Sequence, residues 1–453
     1  MGGIRIYRGA DQIGGIVTEI SNGQHRILID FGANLPGTKN SKLSDDDLVE
    51  KVFGEKAGAF ETDAVLFTHY HGDHTGLKNR IPEDVPLYIG QLSKDIMEVI
   101  AKRVDYMREK NGLDEEPEMP VIKRMNPYWN LKSWKDFNGI KVMPLVCDHS
   151  AIDAHMFIIE LNKKRILYTG DFRDHGTPGE ETFEKMIREI VGKVDILIVE
   201  GTMVSREDGT TVNKIRTEEE LEKRAIEIFN AHKENVVLVS STNLDSIMGF
   251  YHATPGDKAF LCDPYQAEIM RLAIKVRNKY FPNKYSYKKR IYVLCPDENE
   301  IYMKELKKYN NKKTHCDFMM AKPSIYLEKG FVMLARPNRN PSIKCGRFEE
   351  RMQQMKDPFI TYSMWDGYLE DGKAPDKAIV NFVKNRTDKE HMEQLHVSGH
   401  AYVETLRKLM DITDPDIIIP MHTENQDAFK KHKLLTKYSD RIRTVNGDEI
   451  FEV

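Results

Sequence analysis

The first part of the chain contains short apolar runs that predict β-strands. Residues 4–31 are predicted to form strands, and the segments 16–20 and 26–29 lie on either side of Asn22 and Gly23. Both residue types tolerate positive φ, so this pair predicts a tight hairpin turn. A second hairpin is predicted around Asn162 and Lys163. Further buried strands are predicted where apolar residues are continuous, at 64–67, 87–89, 142–146 and 196–199.

A different pattern follows in the middle of the chain. Thr217 and Glu220 form a capping box, which predicts the start of an amphipathic helix. Beyond it, strand and helix patterns alternate, as in a parallel sheet covered by helices. We therefore predict a separate α/β domain over residues 207–388. Its strands are expected at 236–239, 259–262, 291–294, 331–334 and 360–361, with a helix at 266–280 and a further segment at 304–309.

Helices are also predicted outside this domain. Ser44 precedes three aspartates, and acidic residues are favoured in the first turn of a helix. Residues 91–109 carry apolar side chains at helical spacing. A last helix is predicted at 403–410, followed by a strand at 417–419.

The composition is that of a soluble globular protein with two or three domains. Of its 453 residues, 40% are apolar and 30% are charged. The amino terminus lacks a signal-peptide core and no apolar run has membrane-spanning length, so we expect a cytoplasmic protein. Because the net charge is −4, any surface that binds nucleic acid must be local. The five cysteines are scattered without a CxxC pair, which predicts buried free thiols.

The candidate chemistry begins at the end of the strand predicted at 64–67. His69, His71, Asp73 and His74 follow it closely. In extended chain His69 and His71 point the same way, and Gly72 permits a turn that directs Asp73 and His74 to a different centre. Imidazole and carboxylate suit zinc, and manganese is compatible as oxygen ligands increase. The spacing predicts ligands for two metal ions, and the alternative is a polar loop with solvated histidines.

The segment His69-x-His71-x-Asp73-His74 resembles the signature of the metallo-β-lactamase fold. The later segments Glu200-Gly201-Thr202 and Ser398-Gly399-His400 are similar to motifs of the β-CASP nucleases, and most similar to those of ribonuclease J. This resemblance implies an αββα sandwich formed by residues 1–206 and 389–453, with 207–388 as an inserted β-CASP α/β domain. The chain ends soon after His422, so we expect a short form without the C-terminal domain of ribonuclease J.

The resemblance also implies which side chains hold the metal ions. His69, His71 and His149 would hold one ion, and Asp73, His74 and His422 the other, with Asp171 as the bridge between them. Two ions roughly 3.5–4 Å apart can share a hydroxide that attacks a phosphodiester. Considered alone, His149 could equally be a hydrogen-bonded core residue and Asp171 a turn residue.

Further roles follow from the same resemblance. Asp30 would orient a metal-binding histidine, although aspartate at a strand end also suits a simple turn. Glu200 would support a histidine of the site. Ser398, Gly399 and His400 would bind the scissile phosphate, with His400 stabilising the developing charge. The catalytic candidates are therefore Asp73, Glu200 and His400.

The regions that would select a substrate are less specific. The mixture of basic and aromatic residues at 277–290 could hold single-stranded RNA, or be solvated surface. Residues 363–368 stand where ribonuclease J has a glycine- and serine-rich loop, so a 5′-monophosphate pocket and processive digestion do not follow.

We predict a metal-dependent ribonuclease, endonucleolytic, 5′-to-3′ exonucleolytic or both, that uses zinc or manganese. It would act as a monomer or homodimer without membrane attachment. Two alternatives remain, a metallo-hydrolase of a small ester, thioester or nucleotide, and a non-catalytic RNA-binding subunit.

Overall fold

The computed structural model describes most of the chain. Two predictions lie outside the described residues, the segment at 304–309 and the side chains of the basic stretch at 277–290. Among the cysteines, Cys147 and Cys262 are buried and free, and the other three are outside the described part. The described residues are 2–35, 43–54, 60–114, 116–130, 132–204, 215–280, 291–294, 318–320, 326, 328–337, 355–370, 375–384, 388–447 and 449–453.

The chain divides into two compact units. One is formed by residues 1–212 with 399–453, and the other by residues 213–398. The strands are β1 (Gly3–Arg8), β2 (Val17–Ser21), β3 (His25–Ile29), β4 (Glu61–Leu66), β5 (Leu87–Ile89), β6 (Asn126–Pro127), β7 (Lys135–Phe137), β8 (Ile140–Cys147), β9 (Ala154–Leu161), β10 (Lys164–Tyr168), β11 (Ile196–Glu200), β12 (Glu234–Val239), β13 (Ala259–Cys262), β14 (Ile291–Val293), β15 (Phe318–Met320), β16 (Phe331–Ala335), β17 (Pro358–Ser363), β18 (Met392–Gln394), β19 (Ile417–Met421) and β20 (Phe451–Glu452).

Helices cover the sheets of both units. Ser44 caps the first helix as predicted, with its side chain accepting from the backbone N–H of Asp47, and the Thr217–Glu220 capping box is formed. No helix in the described part of the chain has the length and apolar character to cross a membrane. The helices are α1 (Asp45–Phe53), α2 (Gly72–Thr75), α3 (Gln91–Asn111), α4 (Met119–Arg124), α5 (Glu180–Met186), α6 (Glu218–Ala231), α7 (Leu244–Ala253), α8 (Pro264–Tyr280), α9 (Lys377–Lys384), α10 (Val403–Thr413) and α11 (Gln426–Lys431).

The first unit is a sandwich of two mixed sheets. Their strand orders are β20-β1-β2-β3-β4-β5-β6 and β19-β11-β10-β9-β8-β7. Isoleucines from both sheets, among them Ile20, Ile27, Ile159 and Ile198, share one buried core. A second core lies on the other face of the second sheet, where β8–β11 pack against α5, α10 and α11. The layers agree with the metallo-β-lactamase sandwich implied by the sequence.

Both predicted hairpins of this unit are present. Asn22 Oδ1 accepts the backbone N–H groups of Gln24 and His25 at 3.1 and 2.9 Å, which closes the turn between β2 and β3. Asn162 and Lys163 have φ values of 50° and 65°, the pair of positive angles that a type I′ turn requires. The turns fix the register of each hairpin, and with it the face that each side chain occupies.

The described residues of the second unit form one sheet with the order β15-β14-β13-β16-β12-β17-β18. Every pair in it is parallel, which agrees with the predicted alternation of strands and helices. The sequence pattern did not reveal α7. All but one of its residues are buried, so it lacks the polar face that makes a helix recognisable by periodicity.

Candidate metal centre

The candidate ligands follow the carboxyl ends of strands that lie side by side in the first unit. β10, β11 and β19 are adjacent and parallel, so Asp171, Glu200 and His422 come to one edge of the second sheet. β3 and β4 are parallel neighbours in the first sheet, which places Asp30 beside the segment that starts at Thr68. Candidate site residues that are several hundred positions apart in the sequence therefore lie in one cluster.

Gly32 allows two of these segments to approach closely. A Cβ at this position would lie 1.7 Å from the carbonyl oxygen of Asp73, a distance that no side chain can occupy. The neighbouring Phe31 donates its backbone N–H to the carbonyl oxygen of His74 at 2.8 Å. The loop after β3 therefore holds the backbone of the metal-ligand segment in place.

The structure brings together all seven residues proposed as metal ligands. His69, His71 and His149 offer ligand atoms within 4.8 Å of one another, and so do Asp73, His74 and His422. Asp171 joins both groups, because it lies within the same limit of His69 and His74 and also of His422. These are the groups of residues that the family resemblance implied, and their binding of two ions stays a prediction.

Several polar atoms of this cluster have poor or no hydrogen bonds within the cluster and are placed to bind a cation. Nε2 of His149 lies 3.5 Å from Nδ1 of His71. Nε2 of His69 and Oδ1 of Asp171 are buried without a hydrogen-bond partner among the described residues. Buried polar atoms normally have partners, so these unpaired atoms fit the positions of metal ligands.

Four of the histidines are anchored through Nδ1. His74 contacts Asp30 Oδ2 at 2.8 Å, and His149 contacts the carbonyl oxygen of Gly399 at 2.5 Å. Nδ1 of His422 contacts Thr202 Oγ1 at 2.7 Å. Nδ1 of His69 contacts Thr68 Oγ1 at 3.1 Å, and this hydroxyl donates to Asp30 Oδ2 at 2.8 Å. An acceptor at Nδ1 fixes the ring and leaves Nε2 as the atom directed at a metal.

Burial keeps three of the rings uncharged near neutral pH. It lowers the pKa of His71 to about 4 and holds the pKa values of His69 and His149 well below the usual value. Metal binding requires such neutral imidazoles, because a protonated ring has no free lone pair on either nitrogen.

His74 behaves in the opposite way. Burial opposes its charge, but Asp171, Asp30 and Asp73 together raise its pKa well above the usual value. Burial likewise works against ionisation of Asp73, yet His74 and His422 hold the pKa of this carboxyl well below its usual range. The carboxylates of Asp30, Asp73 and Asp171 therefore stabilise a positive charge beside them, either a proton on His74 or a divalent cation.

A second group of residues lies beside the ligands. Nδ1 of His400 is 3.2 Å from Glu200 Oε2, 3.2 Å from Thr202 Oγ1 and 3.7 Å from Asp171 Oδ2. Glu200 is fully buried and accepts the backbone N–H groups of Phe172, Thr202 and Ala401. Glu200 thus lies beside a histidine of the site, His400, and its supporting role stays a prediction.

Sequence reasoning missed the roles of two threonines. Thr68 and Thr202 each stand within a recognised motif, but their hydroxyl contacts depend on the tertiary arrangement. Thr68 Oγ1 links Asp30 to His69, and Thr202 Oγ1 links His422 to His400. The only signal in the sequence is their position, directly before His69 in one case and two residues after Glu200 in the other.

Other predicted residues are placed as follows. Gly399 gives its carbonyl oxygen to His149, and Ser398 is the buried last residue of the second unit. Contact of either with substrate stays a prediction. Acidic and histidine residues near the motifs, which the sequence left unassigned, have structural partners: Asp148 pairs with Arg173, Asp153 accepts from the backbone N–H of Ser93, His155 contacts the carbonyl oxygen of Asp153, and Asp174 accepts from Thr405 and lies 3.6 Å from His175.

Comparison with known proteins agrees with this geometry. Residues 389–443 match the family model described as "Zn-dependent metallo-hydrolase RNA specificity domain". A curated relative, "Cleavage and polyadenylation specificity factor subunit 3" of Dictyostelium discoideum, is 31% identical over 177 residues. The match covers 35% of this chain and 20% of the relative, so this chain spans about a fifth of that protein's length.

A solved structure of a protein of unknown function from Enterococcus faecalis V583 has a TM-score of 0.67, with 94% of this chain and 95% of that chain covered. At 18% identity this likeness shows the fold alone. Residues 25–257, just over half of the chain, match the family model described as "Beta-lactamase superfamily domain". The chain therefore belongs to the beta-lactamase superfamily.

Proposed function

We propose that this protein is a metal-dependent ribonuclease that cuts RNA internally, from the 5′ end, or both. The observation that carries the proposal is the position of His400, whose ring centroid lies 5.4 Å from that of His149 and 5.2 Å from that of His422. A cluster of metal-binding residues alone is found in many kinds of hydrolase. An additional imidazole beside Glu200 can contact the negatively charged phosphodiester of a nucleic acid.

The match to an RNA specificity domain supports RNA as the substrate, since residues 389–443 include both His400 and His422. The name of the curated relative, a cleavage and polyadenylation specificity factor subunit, points the same way. This proposal includes a catalytic domain at 1–206 with 389–453 and an inserted domain at 207–388. It also includes a cytoplasmic location and a monomer or homodimer that acts on single-stranded RNA.

His69, His71 and His149 would hold one divalent ion, and Asp73, His74 and His422 the second, with Asp171 shared. The preferred ion is zinc, because imidazoles dominate the donor set, and manganese is the alternative. Ions bound here would supply Lewis-acid polarisation of the phosphodiester and a water of lowered pKa.

His400 is the residue that we assign to the scissile phosphate. Its side chain is 21% exposed, whereas those of His74, His422 and Asp171 are at most 2% exposed, so substrate can reach it. Glu200 Oε2 lies 3.2 Å from Nδ1 of His400, and a carboxylate at this distance favours the positive charge of a protonated ring. A protonated imidazole at this point neutralises charge that develops on a phosphate oxygen.

The test uses end-labelled RNAs that carry a 5′-monophosphate, a 5′-triphosphate or a 5′-hydroxyl, incubated with zinc or manganese. Wild-type protein should give a product ladder, and His71→Ala and His400→Ala should each give none or a trace. His25→Ala is the matched control, because His25 is a partly exposed histidine paired with Asp63. Intact RNA in all lanes, together with hydrolysis of a small ester, thioester or nucleotide, would refute the ribonuclease proposal. RNA binding without any hydrolysis would indicate the non-catalytic alternative.

A further inference from the structure

The hydroxyl of Thr202 stands between two histidines of different proposed roles. Thr202 is fully buried. Its Oγ1 lies 2.7 Å from Nδ1 of His422 and 3.2 Å from Nδ1 of His400. It also lies 3.3 Å from the carbonyl oxygen of His422. One small side chain therefore contacts a metal ligand and the residue proposed to contact phosphate.

The proton positions around this hydroxyl follow from its neighbours. Nε2 of His422 faces Asp73 Oδ2 and Asp171 Oδ2 at 3.4 and 3.5 Å, so it is the nitrogen directed at the cluster. A ligand nitrogen carries no proton, so the single proton of neutral His422 belongs on Nδ1 and is donated to Thr202.

His400 offers a second proton to the same oxygen. Its Nδ1 also faces the carboxylate of Glu200, which only accepts, so this nitrogen is a donor as well. A hydroxyl has two acceptor lone pairs and one proton. Thr202 Oγ1 can therefore accept from both rings and donate to the carbonyl oxygen of His422, which uses its full hydrogen-bonding capacity.

We propose that Thr202 is a positioning residue that fixes the tautomer and orientation of His422 and His400 together. It thereby couples the affinity for one metal ion to the placement of the phosphate contact. The His400 part of this proposal rests on the proposed function, whereas the His422 part concerns metal affinity and is independent of the substrate.

The first experiment measures zinc affinity by chelator competition in wild type, Thr202→Val and Thr202→Ser. Valine keeps the branched shape and removes the hydroxyl, and serine keeps the hydroxyl. We expect Thr202→Val to bind one zinc ion about 10- to 100-fold more weakly, the range found for partners that orient metal-binding histidines. Thr202→Ser should stay close to wild type. Thr413→Val is the matched control, because buried Thr413 donates its hydroxyl to the carbonyl oxygen of Leu409 within α10, away from the described contacts of the candidate metal ligands.

The second experiment measures RNA cleavage at saturating zinc. Thr202→Val should lower kcat with little change in KM, and Thr202→Ser should restore kcat. Wild-type zinc affinity and kcat in Thr202→Val would overturn the proposal, as would an equal loss in Thr202→Ser, since the methyl group would then be what matters. Should the valine variant fail to fold, Thr202→Ala gives the same comparison without the branched side chain. Weakened zinc binding in a protein that never cleaves RNA would refute the proposed function and leave the positioning role in place.

Discussion

The carbonyl oxygen of Gly399 lies 2.5 Å from Nδ1 of His149, although 250 positions separate the two residues in the chain. A backbone group thus orients a candidate metal ligand that follows β8. Gly399 also has no room for a side chain, since a Cβ would lie 2.5 Å from Ser150 Oγ and 3.1 Å from Cε1 of His149.

We expect Gly399→Ala to lower zinc content and RNA cleavage by about tenfold or more, because the added methyl group displaces the ring of His149. Metal analysis after dialysis, followed by a cleavage assay, measures both effects. Gly256→Ala is the control, because nothing lies within 4 Å of a Cβ at Gly256. Full zinc content in Gly399→Ala would contradict the role assigned to the His149 contact.

Asp30 connects to both proposed ion sites, directly to His74 and through Thr68 to His69. Replacing it with asparagine removes a negative charge and half of the acceptor capacity. We expect Asp30→Asn to weaken zinc binding about 10- to 100-fold, measured by chelator competition. Asp63→Asn changes a carboxylate that pairs with His25 and should bind zinc normally. A simple turn role for Asp30 would predict unchanged affinity.

Glu200 accepts three backbone N–H groups and faces His400. In Glu200→Gln an amide NH₂ replaces one of these acceptors inside the protein. We expect a loss of about 1–3 kcal/mol in the free energy of unfolding, the usual cost of an unsatisfied buried group. RNA cleavage should fall as well, because His400 loses its charged partner. Urea denaturation and a cleavage assay test the two parts, with the exposed Glu189→Gln as the control.

The stability of the metal-free protein should depend on pH in a defined window. The pKa of His71 is about 4 in the folded state, and burial holds the pKa values of His69 and His149 lower than usual. Between pH 4 and the ordinary value of about 6.5, the unfolded chain therefore binds more protons at these groups, and stability falls as the pH falls. Each such histidine contributes up to about 1.4 kcal/mol per pH unit. Burial raises the pKa values of Asp30 and Asp153, which opposes the trend in this window, and the raised pKa of His74 opposes it above pH 6.5.

Denaturant unfolding of chelator-treated protein at pH 7 and pH 5 measures this difference. His71→Ala removes one of the three groups and should show a smaller loss between the two pH values. The same change in stability between pH 5 and pH 7 in His71→Ala as in the wild type would contradict a neutral His71 ring in the folded protein.

The hydrophobic pattern predicted the strands around both hairpins, the parallel sheet of the second unit and the strand before His69. These features depend on neighbouring residues, because turn chemistry and side-chain alternation act over a few positions. The pattern did not predict helix α7, because this helix is buried on almost every side and therefore has no alternation of apolar and polar faces.

The sequence by itself determined the donor chemistry, because His69, His71, Asp73 and His74 are near neighbours at the end of one strand. Motif resemblance added His149, Asp171 and His422 as expectations. Only the tertiary structure decided which atoms face the cluster and what holds each ring. Thr68, Thr202 and the carbonyl oxygen of Gly399 acquire these roles because parallel strands bring distant loops to one edge, and no local pattern encodes a contact between residues 250 positions apart.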